Sequence, residues 1–81
     1  MTLFLDADLY KTPGEFHAAL KRLLNLPDYY GGNADALHDV LSERLEPTNL
    51  YVRSTGTGDV ARAVDLACAV VSDLGGKVTR P

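Results

Sequence analysis

Thr2-Leu-Phe-Leu-Asp-Ala-Asp-Leu-Tyr-Lys-Thr-Pro-Gly-Glu-Phe16 decides the class of fold, because it passes from an apolar strand to a helix start within a few residues. The unbroken Leu3-Phe4-Leu5 reads as a strand buried on both faces, which places it in the middle of a parallel sheet. Thr12 then serves as an N-cap, Pro13 takes the first helical position where a missing N–H costs nothing, and Glu15 reaches back from the third. The helix runs to about Asn25. Phe16, Ala19, Leu20, Leu23 and Leu24 recur at helical spacing and make one apolar stripe for the sheet to cover.

Outward from that unit, Pro27 pushes Leu26 away from helical geometry, and Gly31-Gly32 turns the chain through conformations closed to other residues, so 26–32 is an ordered loop. Asn33 caps a second helix, Ala34 to about Leu45, and Pro47 leads out of it towards a strand over Leu50 to Ser54. The run Thr55-Gly-Thr-Gly58 is a flexible turn. A third helix from about Asp59 to Leu74 carries Val60, Ala63, Val64, Ala67, Val71 and Leu74 on one face, with Gly75 or Gly76 as its left-handed cap. Lys77 to Thr79 is a weak last strand. This alternation predicts an α/β fold, a three-stranded parallel sheet with about three helices joined by right-handed crossovers. The 81 residues have room for one core, hence a single domain over 1–81.

The net charge of −3 is unevenly spread: between Asp28 and Glu46 five acids face the single base Arg44, while the rest of the chain is close to neutral. A local acidic field favours basic partners and argues against direct binding of nucleic acid. The start of the chain lacks the pattern of a secretory signal and no apolar run is long enough for a membrane, which reads as a cytoplasmic protein. The one cysteine, Cys68, has no partner for an internal disulfide and sits in the apolar run 66–71, where a buried, inert thiol is expected.

On a helical wheel at ~100° per residue the second helix has an apolar back of Leu37, Val40, Leu41 and Leu45 and a front of Asp35, His38, Asp39 and Ser42. Asp35 and Asp39 are like charges one turn apart, a pairing that costs an isolated helix about 0.2–0.5 kcal/mol. Asp35 also complements the positive helix N-terminus, and Asp39 can be an ordinary solvated residue. Beside them stand Tyr29 and Tyr30, and polar-tipped aromatics next to focused charge are the composition of an interface. Tyr30 is expected to pack under the loop and Tyr29 to face solvent.

The segment Leu26-Pro-Asp-Tyr-Tyr-Gly-Gly-Asn-Ala-Asp-Ala-Leu-His-Asp-Val-Leu41 resembles the signature of the barstar family, L-P-[DE]-Y-Y-G-x-N-x-D-A-L-x-D-x-L. The resemblance implies an intracellular inhibitor of a barnase-like ribonuclease, acting without cofactor or metal. It implies that Asp39 occupies the enzyme's phosphate site, that Asp35 meets further basic groups, and that Tyr29, Gly31 and Asn33 touch the partner, with His38 beside them. His38 and Arg44 stand where the family carries tryptophans, and the family's glutamate on the last helix has no match in Ala69-Val-Val-Ser-Asp73. A short extra helix of the family also lacks room, since only Thr55 to Gly58 separates the second strand from the last helix.

Two other classes of function fit parts of the pattern. Asp35, His38 and Asp39 could form an acid–base or metal site, yet no nucleophile with an orienting group, phosphate loop or paired metal motif accompanies them. A barstar-like interaction module whose basic partner is not a ribonuclease would keep the acidic face and forgo the tryptophans.

Overall fold

The computed structural model describes residues 2–80, and its elements alternate as the sequence indicates. They are β1 (Thr2–Asp6), a 3-10 turn (Ala7–Leu9), α1 (Pro13–Leu23), α2 (Ala34–Ser42), β2 (Asn49–Ser54), α3 (Gly58–Asp73) and β3 (Val78–Thr79). Both strand pairings are parallel, giving an α/β fold with a three-stranded sheet.

The order β1-β2-β3 puts β2 in the centre and β1 at an edge, which corrects the central position expected for β1. Leu3 and Leu5 point into the core with Leu50 and Val52 of β2, while Phe4 is 72% exposed on the opposite side. The helices therefore cover one face of the sheet. On the open face Phe4 packs against Tyr51 with ring centroids 5.5 Å apart and the planes tilted by 47°, so an apolar residue in the run is satisfied by a neighbouring ring and not by burial.

The helix ends follow local chemistry. The Thr12 side chain accepts the Glu15 N–H at 3.1 Å, and the Glu15 carboxylate accepts the Lys11 N–H at 2.9 Å, one residue earlier than a standard capping box. α1 stops two residues short of Asn25, which instead takes a left-handed φ of 52° and lets Leu26 N–H bond the Lys21 carbonyl at 2.8 Å. α3 ends the same way at Gly75, φ 87°, with Gly76 N–H bonded to the Val71 carbonyl at 2.9 Å. The turn before α3 is closely packed, since a Cβ on Gly56 would lie 3.2 Å from the Ala7 carbonyl oxygen.

The apolar stripes are mostly as read, with two corrections. On α1, Phe16, Ala19, Leu20 and Leu24 are buried, but Leu23 is exposed and His17 is buried in its place. α2 ends at Ser42, so Leu45 is outside the helix and fully exposed instead of continuing its apolar back. Arg44 lies beyond that end, and its guanidinium donates to the Leu24 carbonyl, a free acceptor at the end of α1. That bond ties the exits of α1 and α2 together.

Candidate functional site

The loop between α1 and α2 is held from below by one polar pair. Pro27 starts a turn closed by Tyr30 N–H on its carbonyl at 3.0 Å, and the turn separates the two tyrosines. Tyr30 packs against the core, whereas Tyr29 is 74% exposed, the division expected of them. The Tyr30 hydroxyl shares a 2.6 Å hydrogen bond with Nδ1 of His17 on α1. Burial lowers the His17 pKa below its ordinary value and pushes the Tyr30 hydroxyl up to about 12, so both are neutral when bonded. Lys21 on α1 faces Asp28 of the loop at 3.7 Å, an exposed pair of the kind that adds little stability.

Past the tyrosines the two glycines differ. Gly32 has a φ of 71° that other residues rarely adopt, but Gly31 does not share it. Gly31 matters for space: a Cβ there would sit 3.3 Å from the Ala36 Cβ, tight against the first turn of α2. Asn33 caps that turn, its side-chain oxygen accepting the Ala36 N–H at 2.8 Å. The loop is thereby fixed to the helix it introduces.

On α2 the back is Leu37, Val40 and Leu41, all buried, and Asp35, His38, Asp39 and Ser42 are exposed. The helix has room for little else on its front. The Ser42 hydroxyl donates to the Asp39 carbonyl at 2.8 Å, leaving the Asp39 carboxylate unengaged by it. Among the described residues the ion pairs are Lys21–Asp28 and Arg80–Asp65, and neither involves Asp35 or Asp39. Arg44, the one base of the acidic segment, is committed to the Leu24 carbonyl.

Tyr29, Gly31, Asn33, Asp35, His38 and Asp39 thus all lie exposed along one continuous stretch of loop and helix. The arrangement offers acceptors and an aromatic to a cationic surface: carboxylates without internal cations can take charge-assisted, often bidentate, hydrogen bonds from arginine. Of three grooves in the surface, one is bordered by Asn33 and another by Gly31, and none is lined by Asp35, His38 or Asp39. Among the described residues no three of His, Cys, Asp and Glu converge on a point that could hold a metal. Nor, among them, is any helix long and apolar enough to cross a membrane. Cys68 is buried, with its thiol pKa raised chiefly by that burial.

His17 is the residue that the sequence reading left without a role. It shares a face of α1 with Leu20 and Leu24, three and seven positions on, which is the signal that could have marked it as buried.

A protein-family model described as Barstar (barnase inhibitor) matches residues 1–74 of the 81. No curated protein matches the chain.

Proposed function

The chain belongs to the barstar family, and from that premise we propose that it is a cytoplasmic inhibitor of a barnase-like ribonuclease or ribonuclease toxin domain. The observation that carries the reading is the pair Asp35 and Asp39, exposed on the front of α2 with neither engaged in an ion pair among the described residues. A ribonuclease cleft gathers Lys, Arg and His to hold a phosphodiester. Asp39 stands in for the phosphate and accepts those hydrogen bonds, Asp35 engages a second basic group, and Tyr29, Gly31, Asn33 and His38 frame them. Inhibition is stoichiometric and reversible, by occlusion, and needs no cofactor and no chemistry by this chain.

The interface is fixed before binding, because the loop is anchored through Tyr30 to His17 and α2 is capped by Asn33. Side chains already held in place lose less entropy on association. Opposite charge on the partner speeds encounter, and salt screens that attraction within ~8 Å at physiological strength. Titration into a barnase-like ribonuclease assay is the test. One-to-one inhibition whose association rate falls with added salt supports this reading, and activity unchanged by a molar excess refutes it.

A second reading rests on His38, which is exposed on the interacting front in place of a large aromatic. It makes the chain a module for a basic protein without nuclease activity. Recovery of such a protein, with no ribonuclease bound, distinguishes it.

A further inference from the structure

His17 leaves one of its two ring nitrogens unused. Its Nδ1 is bonded to Tyr30, and the Tyr30 hydroxyl has no other partner among the described residues, so the hydroxyl donates and the neutral ring carries its proton on Nε2. No group among the described residues accepts from Nε2, although His17 is only 7% exposed. A fully enclosed nitrogen in that position would be an unsatisfied buried donor, and the described residues contain none. Nε2 therefore opens onto a hollow.

Two hollows border both His17 and Gly32. The one lined by Lys21, Tyr30 and Gly31 lies on the Nδ1 side, since that is the edge of the ring turned to Tyr30. The opposite edge, with Nε2, faces the other. That hollow has a volume of about 300 Å³ and is walled by Pro13, Ala34, Ala63 and Leu66, with the exposed Asp59 and Arg62 at its rim. Its size is at the lower end of the range for small-molecule sites, whose usual make-up is apolar walls with a few convergent polar groups.

The charges around the hollow select the ligand. Arg62 belongs to neither of the ion pairs among the described residues, so its guanidinium is free to bind a carboxylate from outside. All three α-helices begin here, Pro13 and Ala34 being the first residues of α1 and α2 and Asp59 the second of α3, and helix N-termini add positive potential. Asp59, the one acid lining the hollow among the described residues, repels a doubly charged phosphate more than a single carboxylate. The walls favour an apolar body behind that charge. We propose that this hollow binds a small monocarboxylate with an aromatic or branched aliphatic body. The carboxylate accepts from His17 Nε2–H and from Arg62, and the body lies on Ala34, Ala63 and Leu66. The site uses neither Asp35 nor Asp39 and its test needs no ribonuclease, so it holds or fails independently of the inhibitor reading.

Benzoate is the probe, with benzamide as its neutral counterpart, and the measurement is a heteronuclear NMR titration of the whole chain that follows the His17 ring and the amides of Ala34 and Ala63. The expected result is shifts at these positions that saturate with benzoate, and a dissociation constant at least ~10-fold weaker for benzamide, which forms no charge-assisted bond. Arg62→Ala, at an exposed position, should weaken benzoate by a similar factor and leave the thermal melt unchanged. Lys21→Ala, in the neighbouring hollow, should leave benzoate affinity as it is. Shifts that rise linearly to the solubility limit of benzoate overturn the proposal. Equal binding of benzamide does the same, as does an affinity that falls with Lys21→Ala and not with Arg62→Ala. Inorganic phosphate that displaces benzoate at equal affinity also overturns it, because the apolar walls would then contribute nothing.

Discussion

His17 and Tyr30 share a 2.6 Å hydrogen bond across the base of the loop that carries Tyr29, joining α1 to the turn that precedes α2. The loop's presentation thus depends on a buried histidine thirteen residues away. Tyr30→Phe removes the hydroxyl and leaves the His17 nitrogen with no bond in a partly desolvated site. The expected loss of stability is about 1–3 kcal/mol, read as a lower urea midpoint with an unchanged slope. An unaltered midpoint would show that the bond contributes nothing.

The same pair gives stability a pH dependence of definite sign. Burial lowers the His17 pKa below its ordinary 6.5, so the unfolded chain binds this proton more readily than the folded one. The contribution is fully present above 6.5 and is lost as pH falls through that value towards the lower folded one. The difference in unfolding free energy between wild type and His17→Gln should therefore be largest near neutrality and shrink in mild acid. A difference that is constant across this range would place the protonation elsewhere.

At the other end of the molecule Gly75 and Gly76 separate two effects of a methyl group. Gly75 has the left-handed φ of 87° with open space around a Cβ, so Gly75→Ala costs about 1–2 kcal/mol of backbone strain. A Cβ on Gly76 would lie 2.0 Å from the Thr48 carbonyl oxygen and 2.7 Å from Val71 Cγ1. The backbone itself must move there. Gly76→Ala should therefore be the more damaging of the two in thermal melts, and the reverse order would contradict the packing of α3 against the segment before β2.

Asn33→Ala removes the acceptor for the Ala36 N–H and should destabilise α2 by about 1 kcal/mol. Asn33→Asp keeps the cap and should restore stability. Equal melting temperatures for all three proteins would mean that the cap is replaced by solvent.

What could be read in the sequence divides along physical lines. The caps at Thr12 and Asn33 and a left-handed glycine at 75 or 76, which the structure assigns to Gly75, were legible because each is a local transaction between a side chain or a glycine and the adjacent backbone. The faces of α2 were legible because Leu37, Val40 and Leu41 keep helical period against charged neighbours. The place of β1 in the sheet was not, since strand order is settled by which connections fit and Phe4 finds Tyr51 on the open face. Leu45 misled because periodicity says nothing about where a helix stops, and Arg44 leaves the helical path to reach the Leu24 carbonyl. His17 was hidden because a histidine is buried only where a partner awaits it, and Tyr30 is distant in sequence.

Asp39, exposed on α2 with a full carboxylate to offer, is the central residue of the proposed interface. The most direct measurement is the inhibition constant of Asp39→Ala against a barnase-like ribonuclease beside that of the wild type, with circular dichroism on both. Losing a charge-assisted hydrogen bond costs about 1.5–3 kcal/mol, so inhibition should weaken at least ~10-fold while the helical signal is unchanged. Asp35→Ala should fall between the two. Undiminished inhibition by a folded Asp39→Ala would contradict the proposal that this carboxylate occupies the enzyme's phosphate site.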